Sequence, residues 1–438
     1  MSKLFSVRSR HISHGVRTSG SAVGKTFTVL LPLLLIQSAW AQKVYYAQEL
    51  GHAHIGPSSV AALSGNGLVA AGAISGYVNP FSGPTPFIWS GTNYKKRAPL
   101  QTLDGSGEEA SVHALNFDGT VAGGASVNAA TKSMPAIWSR ISNSWRPPVE
   151  LLLPTTPTAA QSGVVYALSR TGTIAGGMAI FPIGVGSDYQ RPIIWERNGG
   201  DWETTTPTEP YTLITSDNDI SHTNYKKGSG EIRALSADGK MASGGAQSDA
   251  SAKRPVVWQY NGADWNDLPT DLKTLGGNLA DEGEVYAIDA SATVAGGKSH
   301  TAATIFRPTL WRKGSSWGSG TPEELSTPDG LSTSKGSVYA ISGDGKLAGG
   351  YFMNAASVER PTLWWINQGN APYELVTLAL TSNSSGHVVA LSDDGAVAGG
   401  WSEDASGTRR ATLWRLSQPT PPTPPTPPTP PTPPTPPT

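Results

Sequence analysis

A segment reading roughly V-x-A-L-S-x-D-G-x-V-A-G-G, followed after a variable stretch by R-P-x-[IVL]-W, recurs seven times along the chain. Repetition at a fixed period implies a solenoid, propeller or array, because one short unit cannot bury its own apolar face and needs neighbours to do so. The first half appears as VAALSGNGLVAAG from Val60, VHALNFDGTVAGG from Val112, VYALSRTGTIAGG from Val165, IRALSADGKMASGG from Ile232, VYAIDASATVAGG from Val285, VYAISGDGKLAGG from Val338 and VVALSDDGAVAGG from Val388. The second half ends each time on a tryptophan: Trp89, Trp138, Trp195, Trp258, Trp311, Trp364 and Trp414. The shared alanines 62, 114, 167, 234, 287, 340 and 390 are 52, 53, 67, 53, 53 and 50 residues apart. About fifty residues is the size of a four-stranded propeller blade.

Local chemistry favours strands. Alternating residues run into an Asp-Gly turn and out into a second alternating run, which is a strong hairpin signal. Gly-Gly, read as the end of the second strand, fits a bulge or a close backbone approach near a central axis. Proline in R-P-x-L-W can only start a strand or sit at an edge, so a third strand is expected to begin there and end at the tryptophan. DLKTLGG (271–277) and YELVTLAL (373–380) read as fourth strands. The last repeat stops at Trp414-Arg415-Leu416 without one, whereas KVYYAQELG (43–51) is a strand with no tryptophan before it. The N-terminal strand is therefore expected to complete the seventh blade of an all-β, closed propeller, which removes exposed sheet edges. An open β-solenoid of the same repeats is the alternative.

The flanks differ from the repeats. Residues 27–36 (FTVLLPLLLI) form an apolar run behind a basic segment, and Ala39-Trp40-Ala41 supplies a small-x-small cleavage pattern, so 1–41 reads as a signal peptide; a buried core helix is the plain alternative. Removing it takes away five basic residues and leaves 27 basic against 33 acidic groups. A mildly acidic body with no basic stripe argues against nucleic acid as a partner. Cysteine is absent, so stability in an exported chain must come from a large apolar core. After the propeller of 42–416, residues 417–438 consist of SQPT-type and P-P-T units, a polyproline II spacer reaching roughly 70 Å, or, on the bland reading, a Pro-rich ligand.

The units S-x-D-G-x-V-x-G-G and x-x-L-W, together with Thr274-Leu275-Gly276-Gly277, resemble the bacterial extracellular repeats called the HAF family, which often occur in autotransporter passengers. The resemblance covers nearly all of 43–416 and implies a cell-surface module serving attachment, biofilm or virulence. It also implies a following C-terminal barrel. With a barrel the protein is expected at the outer membrane; without one, in the periplasm or the medium.

No catalytic motif, cofactor site or metal site is expected. The Ser-x-Asp-Gly units (Ser236/Asp238, Ser342/Asp344, Ser392/Asp394) miss the Asp-box spacing and read as turn caps. Gly20 to Thr26 has one residue too few for a phosphate loop, and His52 and His54 lack a third metal ligand. Trp145, Trp202, Trp265 and Trp317 follow their blade tryptophans by six or seven residues and read as packing, with a sugar platform as the alternative. The one long spacing holds an insertion in 203–230. Its Asp217, Asp219, Tyr225, Lys226 and Lys227 are the best candidates for partner contact, because binding residues concentrate on loops held by a rigid scaffold. The expected partner is a protein or glycan on a host or neighbouring cell, bound by a monomeric propeller. A carbohydrate-binding lectin or a propeller glycan hydrolase or lyase is the rival. Clustered carboxylates at one mouth would favour the enzyme.

Overall fold

The computed structural model describes residues 45–416, except 51–55, 78–82, 108, 156–158, 183–187, 198, 214–227 and 266. These residues form seven antiparallel sheets, one per repeat. Blade 5 is representative: an inner strand Gly283–Ile288, a second Val294–His300, a third Phe306–Arg312 and a two-residue outer strand Glu323–Glu324. Blade 2 carries an additional pair, Ser144–Trp145. The protein is a seven-bladed β-propeller.

The Gly-Gly pairs explain how the blades reach the axis. In every blade the inner strand carries a bulge at x of V-x-A, seen as a register shift between Val338 and Ala340 in blade 6 and at the equivalent places elsewhere. The bulge pushes the preceding carbonyl toward the second strand. A Cβ on Gly350 would come within 1.9 Å of the Ser337 carbonyl oxygen, and Gly72, Gly124, Gly177, Gly244, Gly297 and Gly400 meet the same obstacle at 1.9–2.0 Å. The preceding glycine admits the next blade instead: a Cβ on Gly349 would lie 2.5 Å from Val388, and one on Gly399 2.9 Å from Val60 of blade 1. Contrary to the sequence reading, Gly-Gly lies in the middle of the second strand, as in Leu347–Met353.

In five blades the third strand begins two residues before its proline, not at it, as in Lys253–Gln259; in blade 3 it begins four before, at Asp188, and in blade 7 an alanine stands in the proline's place. The proline carbonyl accepts from the leucine that ends the outer strand: Leu272 N–H to Pro255 O, Leu325 to Pro308 and Leu375 to Pro361, each about 2.9 Å. An antiparallel residue points its nitrogen and its carbonyl to the same side, so the missing N–H falls where outer pairing stops. Outer strands are also shorter and earlier than expected. In blade 4 only Thr270–Asp271 pairs, and Thr274-Leu275-Gly276-Gly277 is a turn tied to Ser299 Oγ and the His300 carbonyl.

The blade tryptophans are all buried. Six indoles donate to a carbonyl just past the outer strand of the preceding blade: Trp138 to Gln101, Trp195 to Leu152, Trp258 to Tyr211, Trp311 to Lys273, Trp364 to Ser326 and Trp414 to Val376, at 2.6–3.0 Å. Trp89 Nε1 has no hydrogen-bond partner among the described residues. The arginine of R-P is a second tie. Arg254 grips Asp271 on the outer strand (3.0 and 3.1 Å) and the carbonyls of Asn278 and Asp281 in the connection to the next blade. Arg307 and Arg360 repeat this with Glu324 and Glu374.

Tyr45–Glu49 pairs with Arg409–Leu416, with Ala47 opposite Trp414 and Glu49 opposite Thr412. Glu49 thus stands where blades 5 and 6 carry Glu324 and Glu374, and Leu50 N–H donates to the Ala411 carbonyl.

Gly350→Ala is expected to destabilise the fold by about 3 kcal/mol, because neither backbone can give way. Gly369→Ala, with φ of +72° and nothing within 4 Å, should cost only about 1 kcal/mol. Denaturant unfolding of both variants checks the difference.

Candidate functional site

The two ends of the central channel differ. At one end the seven hairpin turns form a ring of backbone hydrogen bonds. Asn66 N–H donates to Phe117 O, Phe117 to Arg170, Arg170 to Ala237, Ala237 to Ala290, Ala290 to Gly343, Asp344 to Asp393 and Asp393 to Gly65, all at 2.8–3.2 Å. Within the turns polar side chains satisfy the backbone: serine with aspartate in blades 4, 6 and 7, and Ser64 with Asn66, Asn116 with Asp118, Ser169 or Asp289 in the others. Ser342 Oγ donates to Asp344 (2.7 Å) and accepts from Leu347 N–H (3.0 Å), and Asp344 accepts from Lys346 N–H. The Ser236/Asp238 and Ser392/Asp394 turns match it. Arg170 reaches Asp393 across this end and covers Phe117 at 3.6 Å. A cup of about 130 Å³ remains, lined by Leu63, Leu115, Leu168, Leu235, Ile288, Ile341 and Leu391 together with the turns. This end is the turn face.

The other end, where blade-to-blade connections enter the inner strands, is the connecting face. Here the bulge residues meet around the axis: Ala61, His113, Tyr166, Arg233, Tyr286, Tyr339 and Val389. Their neighbours in sequence are nearly uniform, and they are not. Five of them carry a continuous arc: His113 to Tyr166 (5.4 Å), the Arg233 guanidinium over Tyr166 (4.1 Å) and Tyr286 (5.8 Å), and Tyr286 to Tyr339 (5.1 Å). The arc continues through Tyr351, stacked on His387 at 4.2 Å, and Trp401, tilted against His387 at 4.7 Å, to Arg409, which lies 4.0 Å over Trp401. His387 Nε2 sits 2.8 Å from Glu359.

Two carboxylates from adjacent blades, Glu231 and Glu284, share the ammonium of Lys253 and the guanidinium of Arg233. Tyr286 Oη donates to Glu284 at 2.8 Å. Both glutamates are buried. Burial raises the Glu231 carboxyl above its ordinary value. Burial opposes ionisation of Glu284 too, but Lys253 and Arg233 outweigh it and hold that carboxyl at about 2. The pair therefore takes up its protons in two separated steps. Burial, with help from Arg233, pushes His113 down to about 4, and burial next to Glu284 raises the Tyr286 phenol.

Other expected sites fall elsewhere. Asp217, Asp219, Tyr225, Lys226 and Lys227 lie outside the described residues, as do His52 and His54, the signal segment and residues 417–438. The insertion holding the first five joins the outer strand Pro207–Thr208 to the inner strand Gly230–Leu235, so it leads directly into Glu231 at the connecting face. Trp202, Trp265 and Trp317 are buried in the blade clusters and Trp145 packs on one, so these rings present no sugar platform. The channel arc was missed by motif reading. Its one signal was variation at x within an otherwise regular V-x-A.

No protein-family model matches the chain, and no curated protein matches it. Solved structures do. A puromycin hydrolase matches with a TM-score of 0.54 at 9 % identity, over 84 % of this chain and 55 % of that one. A prolyl endopeptidase matches with a TM-score of 0.50 at 12 % identity, over 83 % and 50 %. The propeller domain of the Trilobed protease from Pyrococcus furiosus gives 0.49 at 10 %, over 82 % and 95 %. The chain spans about half the length of the first two, and at such identities the likeness is one of propeller fold alone.

Glu284 binds its proton less readily in the folded chain than in the unfolded one. Its contribution to stability is therefore complete above about pH 4.5 and is lost as the pH falls toward 2. Glu284→Gln is expected to cost about 3 kcal/mol at pH 7 and to flatten the acid limb of a plot of Tm against pH.

Proposed function

We propose that this chain is an exported, tethered binding propeller that presents its connecting face to a partner on another cell surface. The observation supporting this reading is the opposition of the two faces. Leu416, where the Pro-Thr segment begins, donates its N–H to the Ala396 carbonyl in a hairpin turn, and Tyr45 Oη donates to Gly395 in the same turn. Both ends of the propeller segment thus emerge at the turn face. A spacer attached there points the connecting face outward.

That face gathers what a partner can use. Three successive connections carry exposed leucines: Leu279 (75 % exposed), Leu331 (42 %) and Leu380 (78 %). A single exposed leucine is ordinary on any surface, but its recurrence in three successive connections gives this face an apolar rim. The insertion of 203–230 leads to the same place. A glycan-cleaving reading would rest on Glu231 and Glu284, but both carboxylates are engaged by Lys253 and Arg233 and offer no unpaired base. In this reading the protein is non-catalytic, the signal peptide directs export, and surface display follows if a barrel succeeds the spacer.

The double variant Leu279→Asp with Leu380→Asp, tested in the full chain, is expected to reduce attachment to target cells at least tenfold with Tm unchanged. Leu68→Asp, on an exposed hairpin turn of the opposite face, should have no effect. Equal loss from both variants, or none from either, would overturn the assignment of the face.

We also propose that the N-terminal strand closes the ring as the outer strand of blade 7. Its support is the repeated placement of Glu49 and Leu50 described above. Tyr46 and Arg415 are direct cross-strand partners in a cysteine-free chain. Tyr46→Cys with Arg415→Cys should therefore form a disulfide in full yield on mild oxidation and raise Tm; free thiols in the folded protein would sink the idea.

A further inference from the structure

We infer that the connecting end of the channel is a saccharide-binding site that takes the end of a neutral glycan chain between the aromatic arc and the small side chains of blade 1. The inference rests on the connecting face being the binding face and adds the chemical class of what enters it.

Position is the first ground. Each repeat needs a valine before x and an alanine after it to pack its blade, whereas x itself is turned toward the axis by the bulge. The fold places no demand on its chemistry, as Ala61 and Val389 demonstrate. Tyr166, Arg233, Tyr286 and Tyr339 nevertheless occupy it in four consecutive blades, in mutual contact. Opposite them the same two levels carry Ser59 and Ala61 in blade 1, and Ser111 hydrogen-bonded to His113 in blade 2. The channel end therefore has a wall of rings on one side and the small groups of blade 1 on the other.

Chemistry is the second ground. Glu231 and Glu284 balance Arg233 and Lys253, so the network carries no net charge and does not select an ion. It does place charged donors, charged acceptors and phenolic hydroxyls side by side. A sugar hydroxyl donates and accepts at once, and it is matched by a wall on which both kinds of group alternate. The C–H faces of a pyranose suit the tyrosine rings. An acidic ligand would require unbalanced cations on the wall, and an apolar one would leave its polar groups unpaired.

The test uses the full chain and titration calorimetry. The probes are neutral hexasaccharides of glucose, mannose, xylose and N-acetylglucosamine, with oligogalacturonate and an uncharged heptapeptide as competing classes. At least one neutral hexasaccharide is expected to bind at 1:1 stoichiometry, with affinity insensitive to salt. Ala61→Trp, which fills the small sector without touching the ionic network, should weaken it at least tenfold. Tyr339→Phe, which removes one hydroxyl and retains the ring, should weaken it severalfold and decides the matter if Ala61→Trp fails to fold. Tight, salt-sensitive binding of oligogalacturonate alone, or of the peptide alone, overturns the inference. No saccharide binding while Leu279→Asp with Leu380→Asp still abolishes attachment overturns the saccharide site and leaves the binding face standing. Loss of neither overturns both.

Discussion

The structure depends on one close approach, repeated seven times: the carbonyl before each inner-strand bulge lies where one glycine of the second strand, the second of Gly-Gly in five blades, would carry a Cβ. Because that space is empty, the second strand can lie flat on a bulged partner, and the blade narrows enough toward the axis for seven to fit. The first glycine, where present, admits a valine or isoleucine of the next blade. Packing within a blade and packing between blades thus meet at adjacent residues. Any side chain at the second glycine would push the inner and second strands apart and widen the ring.

The same bulge creates the channel lining. An unbulged strand would alternate its side chains regularly between the two neighbouring blades. The extra residue breaks the alternation and turns one side chain per blade into the channel. Scaffold and site are therefore separated along the chain by a single residue: Val338 and Ala340 build the blade, and Tyr339 faces the axis. A propeller can change what lines its channel without altering its core, which accounts for the mixture of Ala, His, Tyr, Arg and Val at equivalent places. The hairpin turns do the reverse. Their backbone groups are consumed by the ring of hydrogen bonds, which fixes the turn face and leaves it few unsatisfied groups. The tryptophan and arginine ties act farther out, where the blades diverge and outer strands of two residues would hold poorly without them.

Much of this architecture could be read from the sequence, because its determinants are local and repeated. The Asp-Gly turns, the seven tryptophans and the period of about fifty residues each gave the same answer. Where the reading slipped, a tertiary partner was responsible. The third strands start before their proline because the missing N–H falls where the outer strand has already turned away. Thr274 to Gly277 looks like a strand, yet it is held as a turn by Ser299 and His300 of the following hairpin. The Arg of R-P was visible in four repeats, but its role was not, since its carboxylate lies 14 to 17 residues onward in blades 4 to 6. Glu49-Leu50 carried a usable signal, for it repeats Glu150-Leu151, Glu324-Leu325 and Glu374-Leu375 at the ends of outer strands.

The sequence by itself determined the blade: which residues turn, which lie in the core and how many units there are. Those properties are set within about fifty residues by hydrogen bonds and packing that each repeat encodes afresh. Only the tertiary structure decided what the channel contains. Tyr166, Arg233, Tyr286 and Tyr339 are one residue per repeat, 53 to 67 positions apart, and no linear pattern joins them. They become one surface because seven bulges aim them at a single axis.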